Sequence, residues 1–176
     1  ENKNESSQSA VPRFTNCIVF ALKDENGFVS GFYGRHIGIK EGGHFYLPGD
    51  HEGLFPKVPQ NNKALILTES IIDAASILQQ VGIRENYEVV SLYGTNGFTE
   101  EHATVISKLD TEIILFFDGD QAGRKAIEAL KGPLKTMNIN IKASVVDTPE
   151  NEDINSLLVS HEPQVLEHLI NNRTVL

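Results

Sequence analysis

Apolar positions follow two different patterns in the two parts of this chain. Between Cys17 and about Phe55, short β-rich runs are separated by turn sequences such as Glu25-Asn26-Gly27 and Glu41-Gly42-Gly43, which are typical of antiparallel hairpins. From residue 61 onward, short apolar runs alternate with longer segments of helical composition. This second alternation indicates a parallel α/β sheet with crossover helices.

The second part of the chain divides into segments that are alternately strand-like and helix-like. The strand-like segments are apolar almost throughout, as expected when helices cover both faces of a sheet. We therefore expect an α/β fold, with a mostly parallel sheet flanked by helices and a small N-terminal β-rich annex. In chain order the segments read ALILTE, SIIDAASILQQVG, YEVVSLYG, TEEHATVISKL, EIILFFDGD, AGRKAIEALKGPLKTM and NIKASVVD.

The change of pattern divides the chain into three regions. Residues 1–12 are polar and rich in Asn, Ser and Glu, so we expect a disordered lead or linker there. Residues 13–60 form the predicted annex, which ends in a polar connector that contains proline. Residues 61–176 form the predicted main domain.

Composition limits the classes of protein to consider. With 176 residues and 40% apolar composition, the chain is long enough for one full hydrophobic core. No apolar run reaches the roughly 18 residues of a membrane span, and the N-terminus lacks the apolar segment of a signal peptide. The single cysteine, Cys17, cannot form an intramolecular disulfide. We therefore expect a cytoplasmic protein that is not bound to a membrane.

Acidic residues follow three of the predicted strands. In open α/β sheets the working site lies outside the carboxyl ends of the strands, so these acids should meet at one rim. A helix that starts at about Ser70 would hold Asp73 in its first turn, near the same rim. The acids that follow the three strands are Glu69, then Asp118 and Asp120, then Asp147 with Glu150, Glu152 and Asp153 shortly behind.

Several carboxylates at one rim raise each other's pKa unless a cation neutralises them. An all-oxygen set of ligands suits Mg²⁺ or Mn²⁺, whereas zinc would require Cys or His, and the six histidines of this chain are scattered without ligand spacing. A single aspartate after a strand is as often a helix N-cap. The convergence of three strand ends nevertheless predicts a site for a divalent cation.

These residues together resemble a known family. A strand that ends in Glu69, an acid four residues later, and a downstream strand that ends in Asp-x-Asp before Ala-Gly-Arg are similar to the Toprim fold. Within that superfamily the chain resembles the catalytic core of bacterial DnaG-type DNA primases. The matching segments are LILTESIIDAASILQQVGI, VVSLYGTNGFTEEH, IILFFDGDQAGRKAIEAL and DTPENEDINSLL, with weaker matches at GFYGRHI and HFYLPGDHEGLFPK.

The resemblance implies an enzyme that makes short RNA primers on single-stranded DNA from nucleoside triphosphates, with Mg²⁺ or Mn²⁺ as cofactor. It implies Glu69 as the acid that acts in nucleotidyl transfer. A replicative helicase is the further partner that it implies, bound through domains that these residues do not include. The metal ligands that it implies are Glu69, Asp118, Asp120 and Asp153, with Asp73 in support.

Five further positions are candidates for contact with nucleotide or template. The resemblance implies that Arg35 and Lys57 contact phosphates. The loop SLYGTNG follows a predicted strand, so its residues Gly94 and Thr95 could face a nucleotide, although a plain glycine turn is an equal alternative. Arg124 lies at the start of a predicted helix, where it could meet a phosphate or remain a solvated side chain.

The net charge of −9 argues against a nucleic-acid partner, because Lys and Arg supply most of the affinity for phosphates. Much of that negative charge lies in the predicted acidic rim, and two bound Mg²⁺ ions would offset about four charges. The charge therefore leaves a weak interaction with nucleic acid open.

Two other functions remain open from the sequence. A Toprim-type nuclease would use the same acids. A non-catalytic module that binds metal and nucleic acid is the second alternative, because the family glycine after the motif glutamate is Ser70 here and Asn155 stands where an aspartate is common.

Overall fold

The computed structural model describes residues 13–38, 42–49, 51–60, 63–137 and 142–176. The predicted lead, residues 1–12, lies outside the described residues, and the boundary between residues 60 and 61 stays a prediction. Within the described ranges, two separate sheets are present. No helix in this part of the chain is long and apolar enough to cross a membrane.

The annex is a three-stranded antiparallel sheet with strand order β1-β2-β3. Its strands are β1 (Cys17–Lys23), β2 (Val29–His36) and β3 (His44–Tyr46). Leu22 and Tyr33 on one face of this sheet form a small core with Ile71 of the main domain. The annex therefore packs directly on the rim of the main domain.

The main sheet has strand order β5-β4-β6-β7-β8, in which β8 is antiparallel and the other four strands are parallel. Every residue of β4, β5 and β6 is buried, as the uninterrupted apolar runs predict. The strands are β4 (Leu65–Thr68), β5 (Glu88–Ser91), β6 (Ile113–Phe116), β7 (Ala143–Val145) and β8 (Thr174–Val175).

Helices cover both faces of this sheet. One buried cluster joins the sheet to α3 and α4, and the other joins it to α1, α2, α5 and α6. The predicted α/β fold with a mostly parallel sheet and a β-rich annex is therefore confirmed. The helices are α1 (Ile71–Leu78), α2 (Val81–Asn86), α3 (Glu100–Ser107), α4 (Gln121–Met137), α5 (Ile154–Ser160) and α6 (Gln164–Asn171).

The structure differs from the sequence prediction in two places. The segment SIIDAASILQQVG forms two helices rather than one, because Gln80 adopts an extended conformation between them (φ −85°, ψ 108°). The short elements after β7, namely α5, α6 and β8, are absent from the predicted alternation. Asp153 and Ser156 form a capping box at the start of α5, and this Asp-x-x-Ser spacing is the signal that could have indicated the helix.

A bidentate ion pair ties the C-terminal end of the chain to β6. Arg173 Nε and Nη2 donate to the two carboxylate oxygens of Glu112, each at 2.7 Å. The side chains of Glu112 and Arg173 are only 21% and 23% exposed. Hydrogen bonds from Arg173 lower the pKa of Glu112.

We expect Arg173→Ala to lower the free energy of unfolding by about 1–2 kcal/mol at pH 7, in line with charge-assisted pairs that are partly shielded from solvent. Because the folded state lowers the pKa of Glu112, this contribution is present above the ordinary Glu pKa and is lost as the pH falls through the folded value. Urea unfolding at pH 7 and pH 3 measures the difference. Lys131→Ala, which breaks an exposed pair with Glu128, is the control and should cost under about 0.5 kcal/mol. Equal losses for Arg173→Ala at both pH values would contradict the assignment.

Candidate active site

The strand order places Glu69 and Asp118 side by side. Strands β4 and β6 are parallel neighbours, with Thr68 opposite Phe116. Glu69 is the next residue after Thr68, and Asp118 is the second residue after Phe116. From β4 the chain crosses to β5 on one side, and from β6 it crosses to β7 on the other. The acids therefore lie at the point where the connections diverge, which is the usual binding site of an open α/β sheet.

A cleft of about 680 Å³ lies over this point, between the annex and the main sheet. We call it the acidic cleft. Four acids that the sequence predicted line it together with Gly94 of the loop after β5 and with three basic or potentially basic side chains of the annex. The acids are Glu69, Asp73, Asp118 and Asp153, and the annex side chains are Arg35, His36 and His44.

Glu69 has one carboxylate oxygen that is buried without a partner. Oε2 is shielded from solvent and has no hydrogen bond, whereas the carboxylate accepts one from the backbone of Asp118. Burial, and then the charges of Asp120 and Asp73, raise the pKa of Glu69 to about 7. A buried acceptor without a donor is costly, so this oxygen is placed to receive a proton or a cation.

Asp118 shares this environment. Burial, followed by the charges of Asp73, Glu69 and Asp153, raises its pKa to about 8. The repulsion between these carboxylates, which the sequence predicted, is therefore present in the folded protein.

Asp73 lies in the first turn of α1, which begins where the sequence predicted. The Ser70 side chain caps this helix through the Asp73 N–H and also donates to Asp73 Oδ2 at 2.5 Å. Asp73 is only 5% exposed, and burial raises its pKa to about 6 although hydrogen bonds from Ser70 and the Asn155 backbone oppose that shift. Of the two residues that differ from the family pattern, Ser70 thus holds Asp73 through its side chain, whereas Asn155 does so only through its backbone.

Two of the acids also cap helices. Asp153 is the N-cap of α5 and accepts the Ser156 N–H at 2.6 Å, and Asp120 accepts the Gly123 N–H at 2.7 Å in the first turn of α4. Asp120 is exposed and does not line the acidic cleft, but its charge raises the pKa values of Glu69 and Asp118. Asp153 and Asp120 can therefore cap a helix and still belong to the group of acids at this rim.

Some predicted positions lie elsewhere. Asp147, the first acid after the third strand, is exposed and outside the cleft, and the third strand's contribution comes instead from Asp153. Lys57 is exposed and Thr95 is partly buried, and neither lines the cleft. Arg124 Nη2 donates to the Gly119 carbonyl oxygen at 2.9 Å, so its described contact is with the loop that carries the two aspartates.

The loop SLYGTNG contacts the backbone beside the catalytic candidate. Gly94 has a positive φ of 98°, and its N–H donates to the Glu69 carbonyl oxygen at 2.9 Å. Gly97 in turn donates to Gly94 at 2.8 Å. The loop is thus a tight glycine turn that also lines the cleft at Gly94.

The residues fit a divalent cation, although they do not form a finished binding site. Within the described ranges, no three His, Cys, Asp or Glu side chains are already arranged to hold a metal ion. The unpartnered oxygen of Glu69 and the mutually raised pKa values of Glu69, Asp73 and Asp118 nevertheless show an unneutralised group of oxygen donors. Oxygen donors of this kind suit Mg²⁺ or Mn²⁺.

The raised pKa values predict how stability depends on pH. Folded Glu69 and Asp118 hold protons that the unfolded chain has released, so without metal the melting temperature should fall by several degrees as the pH rises from 6.5 to 8. Burial lowers the pKa of His102, so the protonation of His102 affects stability mainly below pH 6.5. Saturating Mg²⁺ should flatten the slope, because the cation replaces the protons. Thermal scans in EDTA and in Mg²⁺ at four pH values test this, and a melting temperature that rises with pH in EDTA would refute it.

Two histidines of the cleft are not among the site residues that the sequence predicts. His44 lies opposite Arg35 in the β2–β3 register, and His36 also reaches the cleft. Residues that lie directly opposite each other on paired strands point to the same face of the sheet. His44 and Arg35 form such a pair, but the pairing register of β2 and β3 cannot be read from the sequence. Tyr33, two residues before Arg35 on β2, is 1% exposed and belongs to the core.

Comparisons with known proteins agree with this architecture. Residues 66–158 match the protein family described as Toprim-like. A DNA primase of Borreliella burgdorferi is 33% identical over 168 residues, which cover 89% of this chain and 30% of that protein. This chain therefore spans less than a third of that primase.

Solved primase structures have the same fold. The Aquifex aeolicus primase, solved with its zinc-binding and RNA polymerase domains, matches with a TM-score of 0.75 and 25% identity over 99% of this chain and 44% of that one. A DnaG primase catalytic domain bound to single-stranded DNA matches with a TM-score of 0.73 and 26% identity over 93% of this chain and 53% of that one. The chain is thus similar to about half of each solved polypeptide.

Proposed function

Because this chain belongs to the Toprim-like family and is similar to the core of bacterial DNA primases, we propose that it is a primase catalytic core. The reaction is metal-dependent nucleotidyl transfer, which joins nucleoside triphosphates into a short RNA primer on single-stranded DNA. One observation carries this proposal: four carboxylates meet in a cleft at the switch point of the sheet, and a buried oxygen of Glu69 there has no partner.

We assign each acidic residue in and beside the cleft a role in this reaction. Glu69, Asp118 and Asp153 would hold Mg²⁺ or Mn²⁺, with Asp120 and Asp73 in support. When bound, the cation would supply positive charge to the triphosphate, the 3′-hydroxyl and the leaving pyrophosphate. Glu69, whose pKa is raised to about 7, can also take up a proton near neutral pH. Asp73 is fixed by Ser70 and steadies the start of α1 beside Glu69.

Basic and loop residues bind the nucleotide and the template. Arg35 faces the acids across the cleft, where a guanidinium can contact phosphate oxygens in a bidentate manner. Gly94 presents its backbone to the same space, next to Thr95. Lys57 and Arg124 lie outside the cleft, so we assign them to the path of the single-stranded template, where a phosphate contact would add to affinity.

A replicative helicase is a further proposed partner, and it would bind through parts of a longer protein. The chain spans only 30% of the matched Borreliella primase, so that partner and the choice of start sequence belong to the whole polypeptide. Primer synthesis by this chain alone is a separate and testable claim.

The test is primer synthesis from labelled nucleoside triphosphates on single-stranded DNA with Mg²⁺ or Mn²⁺. We expect metal-dependent oligonucleotides that are lost in Glu69→Gln and in Asp118→Asn/Asp120→Asn. Asp147→Asn removes an exposed carboxylate outside the cleft and should leave synthesis unchanged. Degradation of the template that disappears in the same variants would instead identify a Toprim nuclease. Metal binding without either product would identify a non-catalytic binding module.

A further inference from the structure

An annex histidine holds the side chain of Arg35. Strands β2 and β3 pair Arg35 with His44, and Arg35 Nη1 lies 2.5 Å from His44 Nε2. On the other side of the ring, His44 Nδ1 lies 2.8 Å from the Tyr33 hydroxyl. Tyr33 is 1% exposed and packs in the core between the annex and α1. A continuous chain of hydrogen bonds therefore connects this core to the guanidinium in the acidic cleft.

The chemistry of the three groups fixes the position of each proton. A guanidinium only donates hydrogen bonds, so His44 Nε2 must accept from Arg35 and carry no proton. Neutral His44 must then carry its proton on Nδ1, from which it donates to the Tyr33 oxygen. His44 is exposed overall, but partial desolvation of its ring and the neighbouring charge of Arg35 lower its pKa, which agrees with a neutral ring at pH 7. The network thus requires one specific tautomer.

We propose that His44 is a positioning residue that directs the Arg35 guanidinium to the triphosphate of an incoming nucleotide. This inference rests on the proposed function of the cleft. Arginine has many rotamers, and holding it in one of them before binding reduces the entropy lost when phosphate is bound. The same cleft contains Glu69, Asp73, Asp118 and Asp153, whose charges attract an unrestrained guanidinium. Anchoring through His44 keeps Arg35 on the annex side, where it competes less with the cation for these carboxylates.

Nuclear magnetic resonance tests the required tautomer in the unmodified protein. Long-range ¹H–¹⁵N spectra of the ¹⁵N-labelled chain at pH 7.5 distinguish a protonated from an unprotonated ring nitrogen, and the spectrum of His44→Gln assigns the signals. We expect a proton on Nδ1 and an unprotonated Nε2 that accepts a hydrogen bond. A proton on Nε2 would overturn the inference, and this result does not depend on any variant folding correctly.

Binding of tripolyphosphate with Mg²⁺, measured by calorimetry, tests the consequence without requiring turnover. We expect His44→Leu to weaken binding by about 3- to 10-fold, as for the loss of one ordinary hydrogen bond, because His44 only positions the guanidinium and does not contact the phosphate. His44→Gln retains an acceptor and should stay within about 2-fold of the wild type. His161→Leu is the control. His161 caps the C-terminal end of α5, whereas Asp153 caps the N-terminal end, and this variant should not change binding. Unchanged binding in a correctly folded His44→Leu would refute the positioning role.

Failure of this inference can be distinguished from failure of the proposed function. In primer synthesis, His44→Leu should raise the KM for nucleotide and leave kcat nearly unchanged, because the chemical groups of the cleft remain in place. If the wild type makes no primer but His44→Leu still weakens tripolyphosphate binding, the positioning role stands and the proposed reaction fails. If the wild type makes primer but His44 is protonated on Nε2, the reaction stands and the positioning role fails.

Discussion

Asp118→Asn should lower the rate of nucleotide incorporation by at least about 100-fold and at the same time stabilise the metal-free protein. The rate falls because the variant removes the charge of a carboxylate that we propose as a metal ligand, and the charge stabilisation that a metal gives to a transition state is worth several kcal/mol. The fold gains stability because Asp118 is repelled by Asp73, Glu69 and Asp153. An amide of similar shape removes that repulsion.

Thermal unfolding with and without Mg²⁺ measures the second half of this prediction. In EDTA we expect the variant to melt several degrees above the wild type at pH 8, where wild-type Asp118 loses its proton. Addition of Mg²⁺ should stabilise the wild type and affect the variant much less. Asp147→Asn is the control and should match the wild type in both buffers. A variant that is less stable than the wild type in EDTA would show that Asp118 serves the fold rather than the reaction.

Gly119→Ala should produce the largest loss of stability, because Gly119 lies against the backbone of the segment that leads to Asp153. An added Cβ would lie 1.9 Å from the Pro149 carbonyl oxygen and 2.8 Å from that of Thr148. The Gly119 N–H donates to Glu152 and its carbonyl oxygen accepts from Asn151, at 2.8 and 3.2 Å. Since neither backbone can move without breaking these bonds, we expect a loss of about 3 kcal/mol or more.

Gly132→Ala is the matched control for this substitution. Gly132 lies in α4, and an added Cβ there meets no atom within 4 Å outside its own helix backbone and chain neighbours. The next residue is Pro133, whose ring restricts the residue before it and offsets the helix propensity of alanine. The variant should therefore stay within about 1 kcal/mol of the wild type. Urea unfolding compares the two. Primer synthesis by Gly119→Ala should also fall, because the shift displaces Asp118 and Asp153 relative to each other. A Gly119→Ala variant with wild-type stability would contradict the close approach.

The acids that could be predicted are those whose position depends on a strand end alone. Glu69 and Asp118 follow apolar runs that form buried parallel strands, so their place at the rim follows from strand direction. Asp73 could be placed because the helical repeat fixes it relative to Ser70. Asp153 was placed less well, because it lies eight residues after Val145, in a loop whose path is set by backbone contacts with Gly119.

The features that the sequence did not reveal depend on contacts between distant segments. The pairing of Arg35 with His44 follows from the register of two annex strands, and a pattern within a single strand cannot determine register between strands. The division of the helix at Gln80 is equally hidden, because glutamine is a good helix former and its own propensity does not predict the extended backbone found there. Arg124 is exposed but also donates to the Gly119 carbonyl oxygen, because the loop carrying the two aspartates lies beside the start of α4.

The central claim is that the carboxylates of the acidic cleft together bind a divalent cation. Anomalous diffraction from crystals grown with Mn²⁺ and a nucleoside triphosphate tests this most directly. We predict an anomalous peak within about 2.5 Å of carboxylate oxygens of Glu69 and Asp118, in keeping with oxygen coordination of hard cations, and the loss of that peak in Glu69→Gln crystals. Manganese bound only at other sites, with these carboxylates in hydrogen bonds to protein or water, would contradict the claim.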